Sequence, residues 1–220
     1  MMGLLPLLRV EVVFEAISLV LGLVIAVQSL RAHRVLASGS FLLLGVGFVL
    51  MSAAMLFRVS VVGLVVAAAP PMGRPLPYPV LGLFTVEVIY SVIRVVAYTV
   101  FVAAYAVSRL RAAPTAQLVF PLLLTIYNPL FEIVSAALLL YVVVETAYNW
   151  LGGRPRGSGE IFAGFLTLLV SHILFFITPL GPLFYMLGHV AQLVALTMIL
   201  LGTHEAGSVP KAPAPPQPPT

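Results

Sequence analysis

The apolar stretches of this chain are the feature that most constrains its fold. A bilayer core about 30 Å thick requires about 20 apolar residues for each spanning helix. Six stretches come near or exceed this length, at residues 10–30, 36–57, 80–108, 117–144, 161–178 and 182–202. A membrane barrel would instead show segments of about ten residues with alternating polarity. The sequence therefore predicts an all-α fold, a polytopic transmembrane bundle of about six helices.

The composition of the 220 residues supports a place in the cell membrane, with the lipid bilayer as the surrounding partner. Hydrophobic residues make up 61% of the chain and charged residues 8%, which is too little polar surface to cover a soluble globule of this size. The chain has no cysteine, so disulfides and thiolate chemistry are excluded. Its eleven basic residues are scattered rather than clustered, which argues against a nucleic-acid partner.

The chain divides into a membrane domain and a short tail. Residues 1–206 form the predicted bundle, and the proline-rich residues 207–220 form a predicted disordered tail. Residues 59–79 are predicted to extend the second helix and then form a rigid, proline-dense loop. Basic residues in the loops nearly balance between the two sides of the membrane, so the sequence leaves the orientation open and only slightly favours cytoplasmic N- and C-termini.

An internal repeat is indicated by residues 14–27, FEAISLVLGLVIAV, which align without gaps with residues 131–144, FEIVSAALLLYVVV. The second and third helices align with the fifth and sixth, and the halves cover about residues 1–110 and 115–206. Glu15 then corresponds to Glu132. Because each half holds three helices, alternating spans would place the second half upside down, so the sequence predicts a 3+3 inverted repeat.

Charged residues inside the spans are the candidate functional groups, because each costs on the order of 3 kcal/mol in hydrocarbon. The candidates for binding a proton or small cation are Glu15, Glu87, Arg94, Glu132, His172 and His189. With alternating spans they form a series from the N-terminal side of the membrane to the histidines, as a proton or ion route requires. The alternative is a set of buried ion pairs that only hold the helices together, namely Glu15 or Glu87 with Arg58, and Glu132 with Arg94.

The two histidines flank a Pro-Leu-Gly-Pro turn, each seven residues from the nearer proline. On an antiparallel hairpin His172 and His189 would reach similar depths. A shared metal ion, a haem or a proton relay is one interpretation, and an ordinary interhelical hydrogen bond is the other. The cofactor therefore stays unknown, with haem as one alternative. Glu11 lies near the end of the first span and is predicted to snorkel to the surface.

The function predicted from these residues is binding or translocation of a proton or small cation through a buried Glu/Arg/His network. The chain has no aspartate and no HExxH or GxSxG motif, so it is not expected to be an enzyme. Two other classes stay open, a sensory or anchoring module that recruits a partner and a haem- or quinone-binding subunit of a redox complex. Assembly as a homo-oligomer or with a membrane-complex partner also stays open.

Overall fold

The computed structural model describes residues 4–68, 79–110, 128–153 and 156–208. Its helices are α1 (Leu4–Leu36), α2 (Gly39–Ala68), α3 (Pro79–Leu110), α4 (Asn128–Leu151), α5 (Ser158–Phe176) and α6 (Pro182–Gly207), with a 3-10 turn at Thr178–Leu180. All six α-helices are long and apolar enough to cross a membrane. The prediction of an all-α bundle with six spanning helices is confirmed over the described residues.

Prolines mark several helix starts, because proline has no backbone N–H and the first helical turn does not need one. Pro79 and Pro182 begin α3 and α6, and Pro129 is the second residue of α4. The predicted span at residues 117–144 overlaps α4 from Asn128 onward, and residues 117–127 lie outside the described residues. The predicted extension of α2 is confirmed as far as residue 68, whereas the predicted loop at 69–78 and the tail beyond 208 also lie outside.

The six helices pack as a closed ring. Each helix contacts the next one along the chain, and α6 closes the ring against α1. Within the described residues, helices on opposite sides of the ring have no close backbone contact, so side chains fill the centre. Phe101 on α3 packs there against Phe48 on α2 and Phe165 on α5, with ring centroids 4.8 and 5.6 Å apart. Close packing of this kind stabilises helix association in lipid, where the hydrophobic effect contributes little.

Two cavities show in which direction each helix runs. End A denotes the end of the bundle at which α1 begins, and end B the opposite end. The end-A cavity is lined by residues from the first half of α1, α3, α4 and α6 and from the second half of α2 and α5. The end-B cavity is lined by residues from the opposite halves of these helices, including the junction between α1 and α2. Helices α1, α3, α4 and α6 therefore run from A to B, and α2 and α5 run back.

The inverted orientation of the repeat is not confirmed, because both halves run in the same direction. The prediction assumed that consecutive spans alternate, but Leu110 ends α3 at end B and Asn128 begins α4 at end A. Viewed from one end of the bundle, the order of helices around the ring also follows the same rotational direction in α1–α3 as in α4–α6. A twofold axis in the membrane plane would reverse both direction and sense. An axis along the membrane normal preserves them and matches the observed contacts.

The inward-facing positions of the two halves correspond under this parallel relation. On α1 and α4 the matched buried positions are Ser18 with Ser135, Ile25 with Val142 and Ser29 with Thr146. On α3 and α6 they are Ser91 with His189, Arg94 with Gln192, Ala97 with Ala195 and Phe101 with Ile199. Aligned positions of the two halves thus match in burial as well as in residue type, although the match is weaker between α2 and α5.

Single-cysteine labelling is expected to place Ala37 and Leu151 on one side of the membrane and Leu180 on the other. Ala37 follows α1 and Leu151 ends α4, both at end B, whereas Leu180 lies in the turn at end A; all three are exposed. The chain has no cysteine, so each Ala37→Cys, Leu151→Cys and Leu180→Cys variant gives one signal with a membrane-impermeant maleimide. An inverted second half would instead pair residue 37 with residue 180.

Candidate functional site

The end-A cavity collects most of the candidate residues. It has a volume of about 260 Å³, and all six helices contribute to its wall. The candidates that line it are Glu15, Glu87, Arg94, Glu132 and His189, and His172 lies directly behind Glu132. The predicted series of charges across the membrane is wrong. The candidate residues gather near one end, because α4, α5 and α6 run opposite to the predicted directions.

One part of the site is the Arg58 cluster, which consists of Glu11, Glu15, Arg58 and Glu87. Arg58 on α2 forms ion pairs with Glu11 and Glu15 on α1. Its Nε donates to Glu87 Oε1 on α3 at 2.7 Å, and its Nη2 lies 2.6 Å from the same oxygen. Glu11 and Glu15 lie one helical turn apart and so face the same neighbour. One guanidinium thus joins three helices, since its five N–H donors can serve several carboxylates.

The Arg58 cluster contains the ion pairs that the sequence predicted and corrects another prediction. Arg58 pairs with both of the glutamates that the sequence proposed, Glu15 and Glu87. Glu11, however, is 4% exposed and does not snorkel, because Arg58 offers it a charged partner inside the bundle. With all three carboxylates ionised, the cluster carries two negative charges in excess of its single positive charge.

The second part of the site is the Glu132 chain, which consists of Arg94, Glu132, His172 and Tyr98. Glu132 on α4 pairs through Oε1 with Arg94 on α3, as the sequence predicted. Its other oxygen, Oε2, lies 2.5 Å from His172 Nδ1 on α5. His172 Nε2 lies 2.6 Å from the Tyr98 hydroxyl on α3. When the imidazole is neutral, this arrangement has Nδ1 donating to the carboxylate and Nε2 accepting from the phenol.

Tyr90 connects the two parts of the site. The guanidinium carbons of Arg58 and Arg94 lie 4.9 and 5.1 Å from the centroid of its ring, within the range of cation–π attraction. Sequence reasoning missed Tyr90 and Tyr98, because aromatic residues in an apolar helix are usually packing residues. Tyr90 and Tyr98 lie three and eleven residues after Glu87, a spacing that places all three on the same face of α3. This spacing is the sequence pattern from which their place in the site could have been predicted.

The two histidines do not meet. The ring of Phe175 packs edge-on against both, with centroids 6.2 Å from His172 and 5.0 Å from His189. Both nitrogens of His172 have partners, whereas neither nitrogen of His189 has one. Within the described residues no group of three or more His, Asp or Glu side chains is arranged to hold a metal ion. Because Phe175 packs against both rings and both nitrogens of His172 are already bonded, the geometry does not bring the two histidines together on a shared metal ion or haem.

An aromatic layer separates the end-A cavity from the end-B cavity. Tyr98 at the floor of the end-A site packs on Phe101, which packs on Phe165, with centroids 5.9 and 5.6 Å apart. Phe165 in turn packs on Tyr105, 6.1 Å away. Tyr105 lines the end-B cavity, which has a volume of about 210 Å³. The helix bundle thus holds a cavity on either side of a packed aromatic layer.

Six membrane-spanning helices around buried charges define a multi-pass integral membrane protein. Comparison of the chain with protein-family models, with curated proteins and with solved structures gives no match. Any inference about its function must come from the chemistry of the site, since a helical bundle by itself serves many functions.

Proposed function

We propose that this protein binds protons in the end-A cavity and moves them across the membrane, and that it acts as a transport protein rather than an enzyme. The observation that supports this proposal best is the Glu132 chain. It leads from a carboxylate at the cavity wall, through an imidazole, to a phenol inside the bundle. The Glu132 side chain is 12% exposed, whereas His172 and Tyr98 are 2% and 1% exposed.

The chemistry of the chain suits a proton. An imidazole can accept a proton at one nitrogen and release one from the other, which makes histidine a natural relay between two partners. Here the two partners are Glu132 and Tyr98, both at hydrogen-bond distance. A metal cation fits less well, because both oxygens of Glu132 are already held by Arg94 and His172.

Passage to end B would require the aromatic layer to open. Tyr105 lies two helical turns beyond Tyr98 on the same face of α3, and it is the next hydroxyl group along that helix facing the centre. Phe101 and Phe165 occupy the space between them. In this proposal the described arrangement is the closed one, with protons admitted from end A only.

Exposed basic residues favour end B as the cytoplasmic end. Arg31 and Arg34, near the end of α1, and Arg156, between α4 and α5, are exposed at end B. At end A the exposed arginine of the described residues is Arg9. Positively charged loops tend to remain in the cytoplasm. We therefore propose a cell-membrane location in which the end-A cavity faces outward, which places the start of α1 outside rather than in the cytoplasm as the sequence slightly favoured.

The proposal is tested by proton flux into liposomes that contain the purified protein and a trapped pH-sensitive dye, driven by a potassium diffusion potential. Replacing Tyr98 by phenylalanine keeps the ring and removes only the hydroxyl that bonds to His172. We expect the flux to fall about tenfold, the factor that corresponds to the ~1.4 kcal/mol of one lost hydrogen bond, because the relay then ends at the imidazole. Tyr148→Phe, at an exposed tyrosine on α4, is the matched control. The absence of flux in the unmodified protein, or equal flux in the two variants, would refute the proposal.

A further inference from the structure

We propose that the end-A cavity also binds a small organic ammonium compound, between the Arg58 cluster and His189. The site is distinct from the Glu132 chain and does not depend on proton transfer along it. Three observations support the inference: the charge of the cluster, the unpartnered nitrogens of His189 in the same cavity, and the aromatic residues in the cavity wall.

When its three carboxylates are ionised, the Arg58 cluster has two negative charges that no cation of the cluster balances. Glu15 and Glu87 both line the cavity, and each shares the single guanidinium of Arg58 with Glu11. The remaining cavity arginine, Arg94, is paired with Glu132 instead. Among the described side chains no second cation forms an ion pair with these three carboxylates. Buried charges are normally compensated, so the cavity favours a ligand with positive charge.

The unpartnered ring of His189 indicates where such a ligand would lie. His189 lines the cavity and is 3% exposed, and neither of its ring nitrogens has a hydrogen-bond partner. Buried polar groups seldom lack partners unless a ligand or water supplies them. Gln192 lies one turn further along α6 and lines the same cavity. An ammonium group carries several N–H donors, which a neutral imidazole nitrogen, an amide oxygen and the Glu15 carboxylate can accept.

The wall of the cavity indicates an organic cation. Tyr185 and Phe175 line it and pack edge-on against His189, with centroids 4.7 and 5.0 Å away. Aromatic faces attract ammonium groups and also accommodate an attached alkyl chain. The volume of about 260 Å³ far exceeds the ~15 Å³ that one water needs. A bare metal ion would leave most of this space and both aromatic rings unused.

Binding can be measured by calorimetry on the full chain purified in detergent, where no flux occurs, so the result is independent of the proposed proton transport. The probe is n-butylammonium chloride. Sodium chloride and sodium butyrate test for an inorganic cation and for the alkyl chain, and alanine tests whether a zwitterionic ammonium compound is accepted. We expect n-butylammonium to bind and the two sodium salts to give no binding signal; binding of alanine as well would extend the same site to amino acids.

Two variants test the location of the site. Glu87→Gln removes the least buried carboxylate of the cluster, and His189→Phe keeps an aromatic ring while removing both nitrogens. Each is expected to weaken n-butylammonium binding at least about tenfold, or ~1.4 kcal/mol. Glu205→Gln, at an exposed position near the end of α6, should leave binding unchanged. The inference is overturned if n-butylammonium does not bind, if sodium chloride gives the same signal, or if neither cavity variant weakens binding.

Discussion

Replacement of Arg58 by methionine is expected to lower the free energy of unfolding by about 3–5 kcal/mol, the range found when one partner of a buried ion pair is removed. Methionine fills much of the same space, so the loss comes from charge rather than from a cavity. Glu11 and Glu15, with side chains 5% and 2% exposed, would remain buried with no cation beside them. Helices α1, α2 and α3 would also lose their shared polar contact.

The measurement is the equilibrium unfolding of the purified protein in mixed detergent micelles. Arg9→Met is the control, because Arg9 is an exposed arginine on α1 and its replacement should change the free energy of unfolding by less than about 0.5 kcal/mol. Adding Glu15→Gln to the Arg58→Met variant should recover part of the loss, since one uncompensated charge is removed. A loss no larger than that of the control, or no recovery in the double variant, would show that the cluster does not stabilise the bundle.

Replacement of Glu132 by glutamine is expected to lower proton flux by about a hundredfold, the lower bound for loss of a positioned proton-transfer group. Glutamine keeps the size and one oxygen that can accept from Arg94, but it cannot exchange a proton with His172. The effect should exceed that of Tyr98→Phe, because the carboxylate is the group through which the chain meets the cavity.

This result must be separated from simple misfolding. The flux assay is therefore run on protein whose melting temperature and gel-filtration profile are measured in parallel. Glu205→Gln, with the same chemical change at an exposed site, is expected to retain full flux. Folded Glu132→Gln protein with normal flux would mean that the Glu132–His172 contact serves only to hold α4 and α5 together.

The ion pairs show how far local sequence pattern can predict tertiary contacts. The sequence proposed Arg58 with Glu15 or Glu87 and Arg94 with Glu132, and the structure contains all three pairs. The reasoning succeeds because a charge inside a membrane must have a partner and few partners exist in a chain with 8% charged residues. The same reasoning could not predict in which half of the membrane the pairs lie.

The histidine pair shows the opposite case. His172 and His189 have the spacing of residues at one depth on a hairpin, and they do lie on antiparallel helices. Spacing along a helix defines depth but leaves open which neighbours a side chain meets. The rotation of α5 turns His172 toward Glu132 and Tyr98, and Phe175 packs between the two rings. One histidine is thereby fully bonded and the other is left without a partner.

The sequence by itself determined that this chain is a multi-helix membrane protein with a repeated pattern and with buried charges that must pair. These properties depend on the length of apolar runs and on the cost of charge in lipid, and both act locally along the chain. The directions of the second-half helices and the gathering of all the candidate residues near one cavity were decided only by the tertiary structure. They depend on how Leu110 at end B and Asn128 at end A are placed, and hydropathy carries no information about which way a helix crosses.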